Sequence, residues 1–302
     1  MRKLVGTILS MVIAVLLISV SVSAAETNDS ADNRRKFYVE RTVGIFENQG
    51  DEVRVGVISP QYVTVLRRRD YWLQVRTWLG PKWINIDFAP PLMQSPIDPQ
   101  RPMIAITFDD GPNIHTERIL DVFEAHDARA TFFVLGKRLR SFHIEIERMY
   151  RNGFEVLGHS WNHPDMTRLS ETGIREQITG THNAIEDIIG SVPQMFRPPF
   201  GAFNNTVRRV SAELGFSIIS WSVCPMDWDL ICADEIARRV LRTVRDGDIV
   251  LLHDPHPPTA IAVERIVPEL IARGYQLVTV SDLFYYRGIT PQAGGVYRRA
   301  TR

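Results

Sequence analysis

Met103-Ile104-Ala105-Ile106-Thr107-Phe108-Asp109-Asp110-Gly111-Pro112 is the stretch on which the fold turns. A nearly unbroken apolar run ends at two acids and a turn-forming Gly-Pro. Such a run, bounded by turn residues, reads as a strand buried on both faces. Strand-like runs recur at Arg129–Leu135, Phe154–Gly158, Met195–Arg197, Phe216–Trp221, Asp248–His253 and Gln276–Val280. Amphipathic helical patterns lie between them, over Thr116–Ala125, Ile174–Ile189, Asn205–Leu214, Ala233–Val244 and Ala260–Arg273. Strand-then-helix units of this kind imply parallel strands joined by right-handed crossovers. The fold class expected is α/β, with a distorted (β/α)7 barrel; a doubly wound open sheet is the alternative.

Five polar clusters fall at the ends of these strands, where β/α barrels place their active sites. In Asp109-Asp110-Gly111-Pro112, adjacent carboxylates after a buried strand are costly unless a cation or a proton separates them. One can bind metal while its neighbour acts as base, although Asp-Gly-Pro is also ordinary turn chemistry. In His159-Ser160-Trp161-Asn162-His163, two His four residues apart can face one metal, and imidazole suits zinc or cobalt. With Asp110 they leave open positions for water, as a catalytic site requires. In Arg197-Pro198-Pro199-Phe200-Gly201, the Arg can hold a carboxylate in a fixed fork. The stiff backbone after it can aim an amide at a substrate oxygen; taken alone, the segment reads as a turn with a surface Arg. Trp221 through Asp227-Trp228 offers a sugar platform beside an acceptor, or a buried Trp with a capping Asp. His253 closes the run Ile249–Leu252 and is either a satisfied core residue or a general acid.

In this order the five clusters resemble carbohydrate esterase family 4, the polysaccharide deacetylases with a NodB-homology domain, from roughly Arg101 to Leu283. The resemblance implies a hydrolase that removes N-acetyl groups from a polysaccharide, either peptidoglycan or a chitin-like glycan. It implies a divalent metal, zinc or cobalt, on Asp110, His159 and His163. Asp109 would be the base and Arg197 would orient it. The Phe200 amide would bind the oxyanion, and Asp227 would support His253 as general acid. Pro199, Phe200, Trp228 and Leu251 would line the substrate site, the last two at the acetyl group. Cys224 stands where many members have Asp, and Phe200 where many have Tyr. The alternative is a wall-binding protein with a retired deacetylase domain. A phosphate-processing reading of the two acids lacks a Gly-rich cradle.

The rest of the 302-residue chain frames this domain. Formal net charge is zero, which gives no sign of a nucleic-acid partner, and no protein partner is implied. Residues 1–25 read as a signal peptide, with Arg2 and Lys3 before an uncharged run and Ser23 and Ala25 at the cleavage site; an uncleaved membrane anchor is the alternative. Either places the remainder outside the cytoplasm, secreted or associated with the cell wall. Residues 26–36 read as a disordered linker. Residues 37–89 read as a small all-β barrel whose segment Tyr71–Ile84 resembles the end of a bacterial SH3-like domain, a type that tethers exported enzymes to cell wall. Five prolines from Pro90 to Pro102 make 90–100 a stiff linker before the catalytic domain at 101–288. Residues 289–302 form a basic tail, whose end Arg298–Arg302 is expected to be disordered and solvated. Cys224 and Cys232 could pair outside the cell or stay unpaired.

Overall fold

A computed structural model describes residues 35–39, 43–49, 51, 53–59, 61–69, 72–85, 97–189, 192–229 and 232–301. The signal or anchor segment at 1–25 and most of the linkers at 26–36 and 90–100 lie outside the described residues. Among the described residues, no helix is long and apolar enough to cross a membrane.

The chain first forms β1 (Arg35–Val39), β2 (Val43–Phe46), β3 (Arg54–Ile58), β4 (Gln61–Arg69), β5 (Trp72–Thr77) and β6 (Gly80–Asn85). They pair antiparallel in the order β1-β4-β5-β6-β2-β3. The period of two is plain in β5, where Leu73, Val75 and Thr77 are buried while Gln74 and Arg76 are not. Ile45, Ile58, Val75 and Ile84 are fully buried. This all-β unit is not an isolated module. Trp78 packs edge-on against Tyr150, ring centroids 4.3 Å apart. Gln61 Nε2 donates to the Tyr150 hydroxyl at 3.2 Å, and Ser59 Oγ donates to the Gly153 carbonyl at 3.2 Å.

The larger unit alternates strand and helix: β7 (Met103–Asp109), α1 (Thr116–Ala125), β8 (Thr131–Val134), α2 (His143–Arg151), β9 (Glu155–Gly158), α3 (Glu171–Ile189), β10 (Met195–Phe196), α4 (Asn205–Glu213), β11 (Ser217–Ile219), α5 (Ala233–Thr243), β12 (Ile249–His253), α6 (Pro257–Ala272), β13 (Gln276–Leu277), α7 (Val280–Tyr286) and β14 (Val296–Tyr297). All seven residues of β7 are buried, as a strand covered on both faces requires. The parallel strands run β12-β7-β8-β9-β10-β11-β14. The sheet curls until the chain after β11 meets β12. Val223 bridges Val250, and Leu251 N–H donates to the Val223 carbonyl at 2.9 Å. The distortion is visible at β7, whose start pairs with β13 and whose end pairs with β8. Each helix presents one apolar stripe to the sheet; α3 buries Ile174, Ile178, Thr181, Ile185 and Ile189. Phe108, Phe123, Phe132 and Phe154 join β7, α1 and β8 in one aromatic cluster.

Three features differ from the sequence reading. Helix α2 was not expected. It is only nine residues long and polar on balance, and it buries just Ile146, Met149 and Tyr150. The seventh strand is shorter than expected, because the side chains of Thr279 and Asp282 form a capping box that starts α7 at Val280. The tail is anchored to the sheet, although Arg298, Arg299 and Thr301 are exposed as expected. β14 pairs with β11, Ala300 N–H donates to the Gly247 carbonyl at 2.7 Å, and Ala300 is fully buried.

Glu155, the first residue of β9, lies buried at the opposite end of the sheet from the polar clusters. It accepts hydrogen bonds from Thr131 Oγ1 at 2.7 Å, from Val280 N–H at 3.1 Å and from the Ser281 hydroxyl. Burial pushes its carboxyl up to about 7, against the pull of the Ser281 and Thr131 bonds. The folded state therefore holds this proton more tightly than the unfolded chain does. Its contribution favours folding most in acid and fades as the pH rises through about 7. Glu155→Gln has no proton to lose. The stability cost of that substitution, measured by urea unfolding, is expected to shrink by about 2 kcal/mol between about pH 5 and about pH 8. A cost that does not vary with pH would show that Glu155 keeps one protonation state on unfolding.

Candidate active site and metal centre

The polar clusters converge at the C-terminal mouth of the curled sheet. β7 ends on Asp109, and the β7–β12 register sets Asp109 directly beside His253. The backbone then turns sharply, with Asp110 at φ 73°. Gly111 is required here: a Cβ on it would stand 2.1 Å from Oδ2 of Asp254. Asp254 is fully buried and accepts from Thr116 Oγ1 at 2.5 Å. Asp110, Ser160, His163, Phe200 and Met226 all hold positive φ, and all lie in loops at this mouth. Non-glycine residues in that region store strain, and such strain collects at functional sites.

Asp110, His159 and His163 place one ligand atom each within 4.8 Å of one another. Asp110 Oδ1 lies 3.3 Å from His163 Nε2 and 3.6 Å from His159 Nε2. That oxygen is buried with no hydrogen-bond partner. His159 sits 2.7 Å through Nδ1 from the Arg197 carbonyl, so Nδ1 carries the proton and Nε2 presents its lone pair to Asp110. Burial drives the His159 pKa down to about 3, so the ring is neutral, the form a metal ligand needs. His163 is placed by its own N–H, which donates to Ser160 Oγ at 3.0 Å. An orphaned carboxylate oxygen facing two imidazole lone pairs fits a divalent cation of the borderline type.

Behind this trio lies a buried ion pair. Arg197 Nη1 donates to Asp109 Oδ1 at 2.6 Å and to Thr107 Oγ1 at 2.7 Å. Its Nε and Nη2 donate to the carbonyls of Ile219 at 3.2 Å and Ser220 at 3.1 Å. The guanidinium lies 3.9 Å above the Phe133 ring. Asp109 thus has Oδ1 occupied and Oδ2 turned toward His159, 3.6 Å from its Nε2. Burial raises the Asp109 pKa, although Arg197 opposes the rise.

The second half of the site is built on β12 and the loop before α5. Asp227 is buried and receives His253 N–H at 2.7 Å, His253 Nδ1–H at 2.9 Å and Thr259 Oγ1–H at 2.7 Å. Burial disfavours the His253 imidazolium, but the bond and charge of Asp227, with Asp109 and Asp110 behind it, hold its pKa above the ordinary value. Trp228 is 47% exposed and stands edge-on to His253, centroids 5.1 Å apart. Leu251 is buried two residues before His253, on the same face of β12. Phe200 is 67% exposed and lies 4.5 Å from the His163 ring, whereas Pro199 is buried beneath the turn. Cys224 and Cys232 are free thiols. Cys224 is half-buried near Asp227 and Asp109, and burial raises its pKa.

All the residues singled out in the sequence meet at this mouth. Thr107, Thr116, Thr259 and Asp254 were missed. Asp254 had a signal: an acid directly after a strand-ending His, facing an obligatory glycine. Thr259 had none, since nothing in its helix marks it as a partner of Asp227.

A parallel curled sheet with a His-His-Asp trio, a buried Asp–Arg pair and a carboxylate-supported histidine is an arrangement suited to metal-assisted acyl transfer. The polysaccharide deacetylase family model matches residues 97–219. The chain is 41% identical over 188 residues to peptidoglycan-N-acetylmuramic acid deacetylase PdaC of Bacillus subtilis, covering 62% of this chain and 40% of that protein. It is 35% identical over 191 residues to a peptidoglycan-N-acetylglucosamine deacetylase of Bacillus cereus, covering 61% of this chain and 89% of the relative. Among solved structures, a family 4 acetyl xylan esterase from Clostridium thermocellum, in complex with a cobalt ion, aligns with a TM-score of 0.62 at 34% identity. That alignment covers 66% of this chain and 100% of the esterase. The chain belongs to the polysaccharide deacetylase family. It spans well under two thirds of PdaC's length.

Asp109 and His163 are expected to fail differently. Asp109→Asn keeps cation affinity in calorimetric titration and lowers turnover by roughly 10²- to 10⁴-fold. His163→Ala lowers cation affinity by at least about 100-fold, and turnover with it. If Asp109→Asn strips the cation instead, the roles of Asp109 and Asp110 are exchanged.

Proposed function

We propose that the chain is a metal-dependent hydrolase that removes N-acetyl groups from a cell-wall polysaccharide, peptidoglycan in first place and a chitin-like glycan in second. The observation that carries this reading is the pairing of the Asp110–His159–His163 trio with a buried, arginine-held Asp109 on one side and an Asp227-held His253 on the other. Two peptidoglycan deacetylases among the relatives support the choice of glycan.

Asp110, His159 and His163 would hold zinc or cobalt. A divalent ion there supplies Lewis acidity and brings the pKa of water down toward about 7. Asp109 takes the proton of the attacking water through Oδ2, because Arg197 occupies Oδ1 and fixes the carboxylate plane. The Phe200 amide, in the rigid turn after Arg197, is the donor offered to the developing oxyanion. Trp228 and Leu251 form the apolar wall for the acetyl methyl. His253, kept cationic by Asp227, protonates the departing nitrogen. The products are acetate and a free amine on the sugar.

The esterase relative makes an O-acetyl substrate the second reading. The Asp227–His253 pair favours the amide, because an amine leaves only once protonated and an alkoxide depends on that step far less. The N-terminal segment is read as a signal peptide or membrane anchor that takes the enzyme outside the cytoplasm, and the β1–β6 unit as an SH3-like wall tether.

Acetate release from peptidoglycan and from chitin oligomers is expected. Chelation abolishes it, and zinc or cobalt restores it. Full activity in a verified metal-free preparation would sink the mechanism. The pH profile gives a second test. The rate rises as Asp109 loses its proton and falls as His253 loses its own. Asp227→Asn removes the charge that stabilises the imidazolium, so the alkaline limb moves to lower pH while the acid limb stays nearly fixed. Superimposable profiles after scaling would give His253 a different partner.

A further inference from the structure

The loop after β9 carries, between the two ligand histidines, an aromatic that no step above uses. Trp161 is 40% exposed at the mouth. The benzo edge of its indole lies over two glycines. A Cβ on Gly136 would stand 2.3 Å from Cε3, and one on Gly180 of α3 would stand 3.7 Å from the same atom. The backbone is held from both sides. Trp161 N–H donates to Gln177 Oε1 at 2.8 Å, and its carbonyl accepts Lys137 N–H at 2.9 Å. The indole N–H, in contrast, makes no hydrogen bond among the described residues. The result is a plate with a fixed inner edge and an unused donor, the amphipathic combination that meets the C–H face and hydroxyls of a sugar ring.

The sheet order places this plate. Around the mouth the strands run β12-β7-β8-β9-β10-β11, and residues 222–223 bring the chain back to β12. β9 is three strands from β12 in either direction. Trp161, on the loop after β9, therefore stands across the mouth from His253 and Trp228. If His253 serves the nitrogen of the reacting sugar, as the deacetylase reading requires, that sugar lies on the β12 side. A ring on Trp161 is then a different ring of the same chain.

We infer that Trp161 is the platform for a sugar neighbouring the one being deacetylated, so that the enzyme selects glycan chains over short fragments. The inference rests on the deacetylase reading and deepens it. The kinetics of the full chain on the N-acetylglucosamine hexamer and dimer test it, with Trp161→Phe and Trp161→Leu as variants. The leucine keeps bulk over Gly136 and Gly180 but removes the plate. With Trp161→Leu, kcat/KM on the hexamer is expected to fall about tenfold more than on the dimer, mainly through KM. Trp161→Phe recovers most of that difference. The hexamer-to-dimer ratio is the readout because a loss of metal lowers both substrates alike, and elemental analysis reports metal content separately. An unchanged ratio in both variants overturns the role of Trp161. A wild-type chain inactive on peptidoglycan and on both oligomers overturns the deacetylase reading, and this inference with it.

Discussion

The site hangs on the buried pair between Arg197 and Asp109. Both side chains are out of water, and neither charge could be buried alone without a penalty of several kcal/mol. Arg197 reaches from the end of β10 to the end of β7 and takes the Ile219 and Ser220 carbonyls past β11 on the way. Its own carbonyl then holds His159 at the end of β9. One residue thus fixes the plane of the proposed base and the orientation of a proposed metal ligand at once. That shared reference is what lets loops from four strands meet with ångström tolerance, because each is measured from the same guanidinium and its peptide.

The loops add a constraint of their own. Positive φ at Asp110, Ser160, His163, Phe200 and Met226 turns the chain abruptly just past the strand ends. A relaxed extended loop would carry these side chains outward. The strain is tolerated because the strands beneath are fully buried and hydrogen-bonded on both edges, and because Asp254, Gln177 and Ser160 anchor the turns from behind.

Much of this was legible in the sequence, and the reason is physical. Met103–Asp109 is buried on both faces, so its side-chain pattern is a continuous apolar run that only a covered parallel strand explains. The chemistry-bearing residues follow such strands directly, so finding the strand finds the residue. What failed depended on partners distant in sequence. The nine residues of α2 carry only one short apolar stripe, Ile146, Met149 and Tyr150, and Tyr150 finds its partners Gln61 and Trp78 far back in the chain. The tail's ordering rests on Gly247 and β11, about fifty and eighty residues back. The start of α7 was readable in principle, from Thr279 and Asp282, but the apolar run through Val278 and Val280 masked it.

The contact of Trp78, Gln61 and Ser59 with Tyr150 and Gly153 has a mechanical meaning. Helix α2 packs on β9 and presses Ile146 and Met149 into the core, while Tyr150 meets the small sheet. A helix clamped in this way works as a bracket rather than a hinge. Were the small sheet to rest on a surface, these contacts would fix the direction in which the mouth faces it.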